Sequence, residues 1–134
     1  MKYHAANMNA LYATTKQGTI GELIVQLRLL EHDVQAAAPI KDSGNDLIAI
    51  KKTRFRAIQV RSTTIENIDK PNEEVLYDIL AIVQLPEKDG RPVTRDADIY
   101  LFAKDEVKDI SGKVSKYQAN LISQDLVEKL FAAG

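Results

Sequence analysis

The sequence predicts an α+β fold, a mixed β-sheet flanked by helices. Three observations predict it. Apolar residues recur at spacings of three and four between Ile20 and Leu30. Strand-like segments follow from Val34 to Ala103. A second apolar stripe at helical spacing closes the chain. The 134 residues suggest one domain, and 45% hydrophobic content is enough to build a sizeable core.

In the first helix, Ile20, Leu23, Ile24, Leu27 and Leu30 mark one apolar face, and Val25 and Leu29 add surface on a second side. Two start signals compete, Thr14 with Gln17 and Thr19 with Glu22, each a capping box. Residues 4–13 could add a further turn or two. The helix is expected to end at His32 or Asp33.

Val34 to Ala38 reads as a strand stopped by Pro39, and Lys41 to Asn45 as a polar turn. Leu47–Lys51 and Phe55–Arg61, joined by a short connection, read as a hairpin. Residues 63–75 read as a loop. Tyr77 to Leu85 is the most apolar strand and is expected to be central. Asp89–Gly90 sits in a polar loop before the strand Asp98–Ala103. Asp105, Glu106 and Asp109 suit an acidic first helical turn. The closing helix is expected at 123–132, with Leu126, Val127, Leu130 and Phe131 as its stripe.

Composition excludes several function classes. With no cysteine there is no disulfide scaffold, thiolate metal site or cysteine nucleophile, which fits a cytoplasmic setting. MKYHAANMNA lacks the apolar core of a secretory signal, and no run approaches the roughly 20 apolar residues of a membrane span. His4 and His32 are isolated, so a zinc site is not expected. Nucleophile-elbow, phosphate-loop and dinucleotide fingerprints are absent.

The formal net charge of −1 conceals an asymmetry. Residues 1–62 carry nine basic and five acidic residues, and residues 63–134 carry nine basic and fourteen acidic. Lys51, Lys52, Arg54, Arg56 and Arg61 fall within one hairpin without an acid among them. Such a patch can neutralise phosphates, or can simply be a solvated face. Phe55, among these charges, suits either a core position or stacking on a base. Gly18-Thr19-Ile20-Gly21 matches a backbone-clamping GxxG, but also a close-packing feature near a helix start.

Several short motifs together resemble the PD-(D/E)XK nuclease superfamily: Gly21–Glu22 on a helix, Asn45–Asp46 ending a turn, and Gln59-Val60-Arg61-Ser62 on a strand. Tyr77-Asp78-Ile79-Leu80-Ala81 and Asp98-Ile99-Tyr100-Leu101-Phe102 look like later strands of its small members, related to archaeal Holliday-junction resolvases and intron-associated homing endonucleases. The likeness spans roughly residues 16–108. It implies an α/β (α+β), restriction-endonuclease-like mixed sheet flanked by helices. It also implies metal-dependent endonuclease activity on duplex or branched DNA, with Mg²⁺ or Mn²⁺, and a homodimer to cut both strands.

Carried over by position, Asp46 matches the family's metal-binding aspartate and Glu22 its helical glutamate. Gln59 falls where the family has Glu, Asp or sometimes Gln, and Arg61 replaces its lysine. Asp46, Glu22 and the Gln59 carbonyl are then the metal ligands. Lys51, Lys52, Arg54 and Arg56 contact flanking DNA backbone. Arginine keeps the charge and can hold a phosphate bidentately, but any role that needs a neutral amine is lost.

The residues support part of this unaided. Gln59 and Arg61 are two apart on one strand and share a face, and Asp46 stands at the mouth of the neighbouring strand. Mg²⁺ takes oxygen ligands and keeps several waters, so one or two carboxylates suffice. Each residue also has a plain reading. Glu22 can be a capping-box acid, Asp46 a turn residue, and Gln59 and Arg61 a solvated strand face. The Gln-x-Arg pair equally suits a lapsed nuclease fold that binds nucleic acid or a protein partner, and an assembly protein without a DNA role is a third reading.

Overall fold

A computed structural model describes residues 13–40, 46–64, 66–68, 70 and 76–132. The expected helical turn at 4–13 falls almost wholly outside them, as do His4, the turn at Lys41 to Asn45 and part of the 63–75 loop.

Helix α1 (Ala13–Glu31) is followed by β1 (Gln35–Ala37), β2 (Leu47–Lys51), β3 (Arg54–Thr63) and β4 (Ile79–Gln84). A small ribbon, β5 (Glu87–Lys88) and β6 (Arg91–Pro92), precedes β7 (Asp98–Ala103), α2 (Lys104–Val107) and α3 (Gln124–Leu130). The main sheet runs β1-β2-β3-β4-β7. The β3–β4 pair is parallel and the others are antiparallel, so the sheet is mixed and the fold is α+β, as the sequence predicts. The 47–51 strand and the 98–103 strand match their expected bounds, and β3 runs two residues further than expected. β4 lies inside the sheet and is buried on both faces, as its unbroken apolar run requires.

Local chemistry accounts for the joints. Asp33 takes φ 65 at the end of α1, while Val34 N donates to Leu29 O (2.9 Å) and Asp33 N to Leu30 O (3.0 Å). This is a Schellman stop with aspartate in the place glycine usually takes, sealed by the buried pair Leu29 and Val34. Asp89 (φ 54) and Gly90 (φ 75) form the two-residue β5–β6 turn, where both positions need positive φ. The Ser123 hydroxyl accepts from Leu126 N (3.1 Å) to cap α3. Glu106 Oε1 accepts from Ala103 N (2.9 Å) at the start of α2, in the acidic turn expected there.

Two apolar layers sandwich the sheet. Ile24, Val25 and Leu29 of α1, with Val127 and Phe131 at the C-terminal end, cover one face through Ile58, Val60, Ile79, Ala81 and Leu101. On the other, Leu80, Ile82, Tyr100 and Phe102 pack beneath Val107, Ile110 and Val114.

The structure corrects the expected face of α1. Leu23, Leu27 and Leu30 are 58%, 56% and 58% exposed, and the sheet-facing side runs through Gly21, Ile24, Val25 and Leu29. The reason is Gly21. A Cβ there would run into the Ser62 hydroxyl and lie 3.2 Å from Ser62 Cβ, so α1 meets β3 on its glycine side. The Thr19–Glu22 capping box is also corrected, because Thr19 lies inside α1. Likewise Gly18-Thr19-Ile20-Gly21 is helical throughout, and Gly21 is a packing residue rather than a loop clamp.

Candidate active site

The β2–β3 register places Leu47 opposite Ile58, so Asp46 stands where β2 begins, beside the middle of β3. Asp46 N donates to Ile58 O (3.0 Å), and Asp46 Oδ2 accepts from Val60 N (2.8 Å). The side chain thus continues the ladder past the end of β2. A carboxylate has about four lone-pair sites, so this one bond leaves it acceptor capacity.

Side-chain alternation along β3 sends Ile58, Val60 and Ser62 toward α1. Gln59 and Arg61 go to the opposite face, beside Leu80 and Ile82 of β4. At the end of the sheet, α1, the mouth of β2 and the last part of β3 enclose a pocket of about 280 Å³. It is lined by Gln17, Gly18, Glu22, Asp46, Val60, Arg61 and Ser62. Three of the four residues singled out in the sequence, Glu22, Asp46 and Arg61, line this cavity, Arg61 as part of the β3 wall with its side chain alternating to the other face. Gln59 does not line it and is only 6% exposed.

Three residues of this pocket, Gln17, Gly18 and Ser62, are not among the expected site residues. Gln17 and Gly18 lie five and four residues before Glu22. The i, i+4 spacing from Gly18 to Glu22 is the signal that could have found them. Nothing lies within 4 Å of where a Gly18 side chain would begin, so that helix turn leaves the pocket wall open. The Ser62 hydroxyl is buried against Gly21 and has no hydrogen-bond partner among the described residues.

The donor set suits a hard cation. Asp46 and Glu22 bring two carboxylates to the pocket, and Gln17 and Ser62 line it with an amide and a hydroxyl. Among the described residues no cluster of three or more His, Cys, Asp or Glu could hold a metal, so a cation here would keep part of its water shell.

The basic hairpin divides in two. Pairing of Ala49 with Arg56 and of Lys51 with Arg54 puts these cations on the face that carries α3. Lys51 is 9% exposed and its ammonium lies 3.5 Å from Glu128 Oε1. Arg56 donates through Nε to Leu130 O (3.0 Å), through Nη2 to Ala132 O (2.7 Å) and through Nη1 to Phe55 O (2.8 Å). Its guanidinium also lies 5.8 Å from the Phe131 ring centroid. Lys51 and Arg56 therefore fasten α3 to the sheet, whereas Lys52 and Arg54 stand exposed at the hairpin tip. Phe55 is 62% exposed, which overturns the core position among its two readings. His32 Nδ1 lies 2.9 Å from Gln124 Oε1 and ties the end of α1 to α3.

Two titrations are displaced. The Gln124 hydrogen bond, then the Lys51 charge, hold the Glu128 carboxyl below the usual range. Burial, then the charge of Asp98, push the Tyr100 phenol up.

Comparison with known proteins adds the fold. No family model and no curated protein matches the chain. Among solved structures, the chain is similar to a bacterial homing endonuclease, I-Ssp6803I. The TM-score is 0.55 at 17% identity, covering 77% of this chain and 73% of that one. The two share a nuclease-like fold. No helix among the described residues is long and apolar enough to cross a membrane.

Proposed function

We propose that the chain is a metal-dependent DNA endonuclease of the PD-(D/E)XK type. The observation that carries this reading is the meeting of Glu22 of α1 and Asp46 at the mouth of β2 in one pocket at the end of the sheet, whose β3 wall includes Arg61. The fold shared with a homing endonuclease supports it.

In this reading Asp46 and Glu22 hold Mg²⁺ or Mn²⁺. Such an ion, when bound, lowers the pKa of a water and neutralises charge on a phosphate. The chain's own residues do the rest. Arg61 binds two oxygens of the scissile phosphate through its planar fork and stays charged throughout, so it positions the phosphate and cannot act as a base. Asp46 is fixed by the Val60 amide, which orients the carboxylate before substrate arrives. Gln59 shares a face of β3 with Arg61 and does not line the pocket, so the two carboxylates carry the metal in this reading. Lys52 and Arg54, the exposed cations of the hairpin, contact flanking backbone, and a homodimer supplies one site per strand.

The test is a cleavage assay on linear, single-stranded and branched DNA with Mg²⁺ and with Mn²⁺, run beside Asp46→Asn. Asparagine keeps the acceptor for Val60 N but removes the charge. Metal-dependent cutting that Asp46→Asn abolishes supports the reading. Intact DNA in every condition, with salt-sensitive binding indifferent to metal and to Asp46→Asn, favours the lapsed, DNA-binding alternative suggested by arginine at position 61.

A further inference from the structure

We infer that the tip of the β2–β3 hairpin is a base-stacking site, with Phe55 as the platform for an unpaired DNA base and Lys52 and Arg54 on the adjoining phosphates. Phe55 is 62% exposed, and Ile48, on the same face of the hairpin, is 44% exposed. Pairing of Ile50 with Phe55 and of Ile48 with Ala57 sets these four side chains on the face away from α1. The apolar layer on that face lies over β4 and β7 and reaches β3 at Ala57. Phe55 stands outside it.

The platform is held in place before anything binds. Phe55 sits in the ladder opposite Ile50, and its carbonyl accepts from Arg56 Nη1 (2.8 Å). The other guanidinium nitrogens of Arg56 hold the end of α3. A ring mounted on a paired strand gives up little freedom when it is covered. The charges select the occupant. From Leu47 to Thr63 the chain carries no acid. Lys51 and Arg56 are engaged with α3, which leaves Lys52 and Arg54 exposed beside the ring. Asp78, toward β4, has its carboxylate on Ala57 N (2.8 Å). Lys52 takes φ 57, where glycine is the usual residue, so a cation stands at the tip despite its backbone. An aromatic face between two exposed cations matches a base between two phosphates. An apolar protein segment would leave both cations without a counter-charge.

The ring also names the substrate class. In continuous duplex both faces of each base are covered by its neighbours, so Phe55 finds a base face only at a flap, a bulge or a loop. The place of the tip relative to the pocket agrees. Asp46 bonds the backbone of Ile58 and of Val60, so it stands level with Gln59, four residues along β3 from Phe55. That separation is about 13 Å at about 3.3 Å per residue. A strand held at the pocket passes the tip about four nucleotides away, at about 3.4 Å per step. The inference rests on the DNA-binding part of the reading above, and selects DNA with unpaired nucleotides near the cut over continuous duplex.

The experiment is fluorescence anisotropy in EDTA, so that cleavage plays no part, on a labelled DNA duplex and on the same duplex carrying a single-stranded flap. The proteins are wild type, Phe55→Ala, Phe55→Leu and Phe55→Trp. Phe55 is exposed, so the variants are expected to keep the wild-type circular dichroism. Wild type should bind the flap about tenfold more tightly than the duplex, Phe55→Ala should lose that margin, and its duplex binding should change by less than about twofold. Tryptophan should keep the margin. Leucine, which has bulk without a π face, should not. The salt slope should be the same in Phe55→Ala as in wild type, because stacking neutralises no phosphate. Equal wild-type affinity for the two DNAs, an equal loss on both in Phe55→Ala, or a margin that survives in Phe55→Leu would each overturn the proposal. So would a lack of binding to either DNA at low salt, which would assign the tip to a protein partner. Cleavage decides the nuclease reading separately. A flap preference without metal-dependent cutting keeps the stacking site and fails that reading, and cutting without a flap preference does the reverse.

Discussion

Asp46 Oδ2 accepts the amide of Val60 at 2.8 Å, and this bond joins the start of β2 to the strand that carries Arg61. The acid proposed for metal binding is thus also a backbone fastener.

The two roles separate by substitution. Asp46→Ala leaves the half-buried Val60 N–H unpaired and is expected to lower unfolding free energy by about 1–3 kcal/mol. Asp46→Asn retains the acceptor and is expected to lose less than half as much. Urea denaturation measures the difference, while both variants lose metal-dependent cleavage.

Gly21 and Gly18 should respond in opposite directions. Gly21→Ala forces a methyl onto Ser62 and is expected to destabilise the fold by about 1–3 kcal/mol. Gly18→Ala enters open space in a helix and is expected to stabilise by up to about 1 kcal/mol. Adding Ser62→Ala to Gly21→Ala should recover part of the loss, and thermal melting of the four proteins tests the coupling.

Arg56 and Arg54 should divide stability from binding. Arg56→Ala removes the donor that serves the Leu130 and Ala132 carbonyls at the end of α3 and is expected to cost about 1.5–3 kcal/mol. Arg54→Ala should change stability by less than about 0.5 kcal/mol. If Arg54 meets a phosphate, that variant should weaken DNA binding and lower the salt slope by about 1, as read by titration at several salt concentrations.

The pH response of α3 runs through Glu128, whose carboxyl is held below its ordinary 4.5 by Gln124 and Lys51. A depressed pKa in the folded state contributes stability above the unfolded value, lost as pH falls through the folded one. The stability difference between wild type and Glu128→Gln should therefore be constant near neutrality and should shrink below pH 4.5. Since Glu128 is exposed, the difference is small, and denaturation at a series of acid pH values reads it.

Local physics made much of this protein legible in the sequence. Alternation and apolar runs located β2, β4 and β7, and the 126/127/130/131 stripe located α3, because each pattern is set by the period of its own backbone. The spacing of Gln59 and Arg61 put them on one face for the same reason. Tertiary structure alone decided which side of α1 is buried. Leucines satisfied the helical period on one side, but Gly21 permitted the closer approach to β3 on another, and close packing selected that side. It also decided the fate of the basic cluster. Five cations close together in sequence were split by strand pairing and alternation, and two of them became the anchors of a helix more than 70 residues away. Likewise it brought Glu22 and Asp46 to one pocket while leaving Gln59 outside. No spacing along the chain records such a meeting, since it depends on how a helix lies across the end of a sheet.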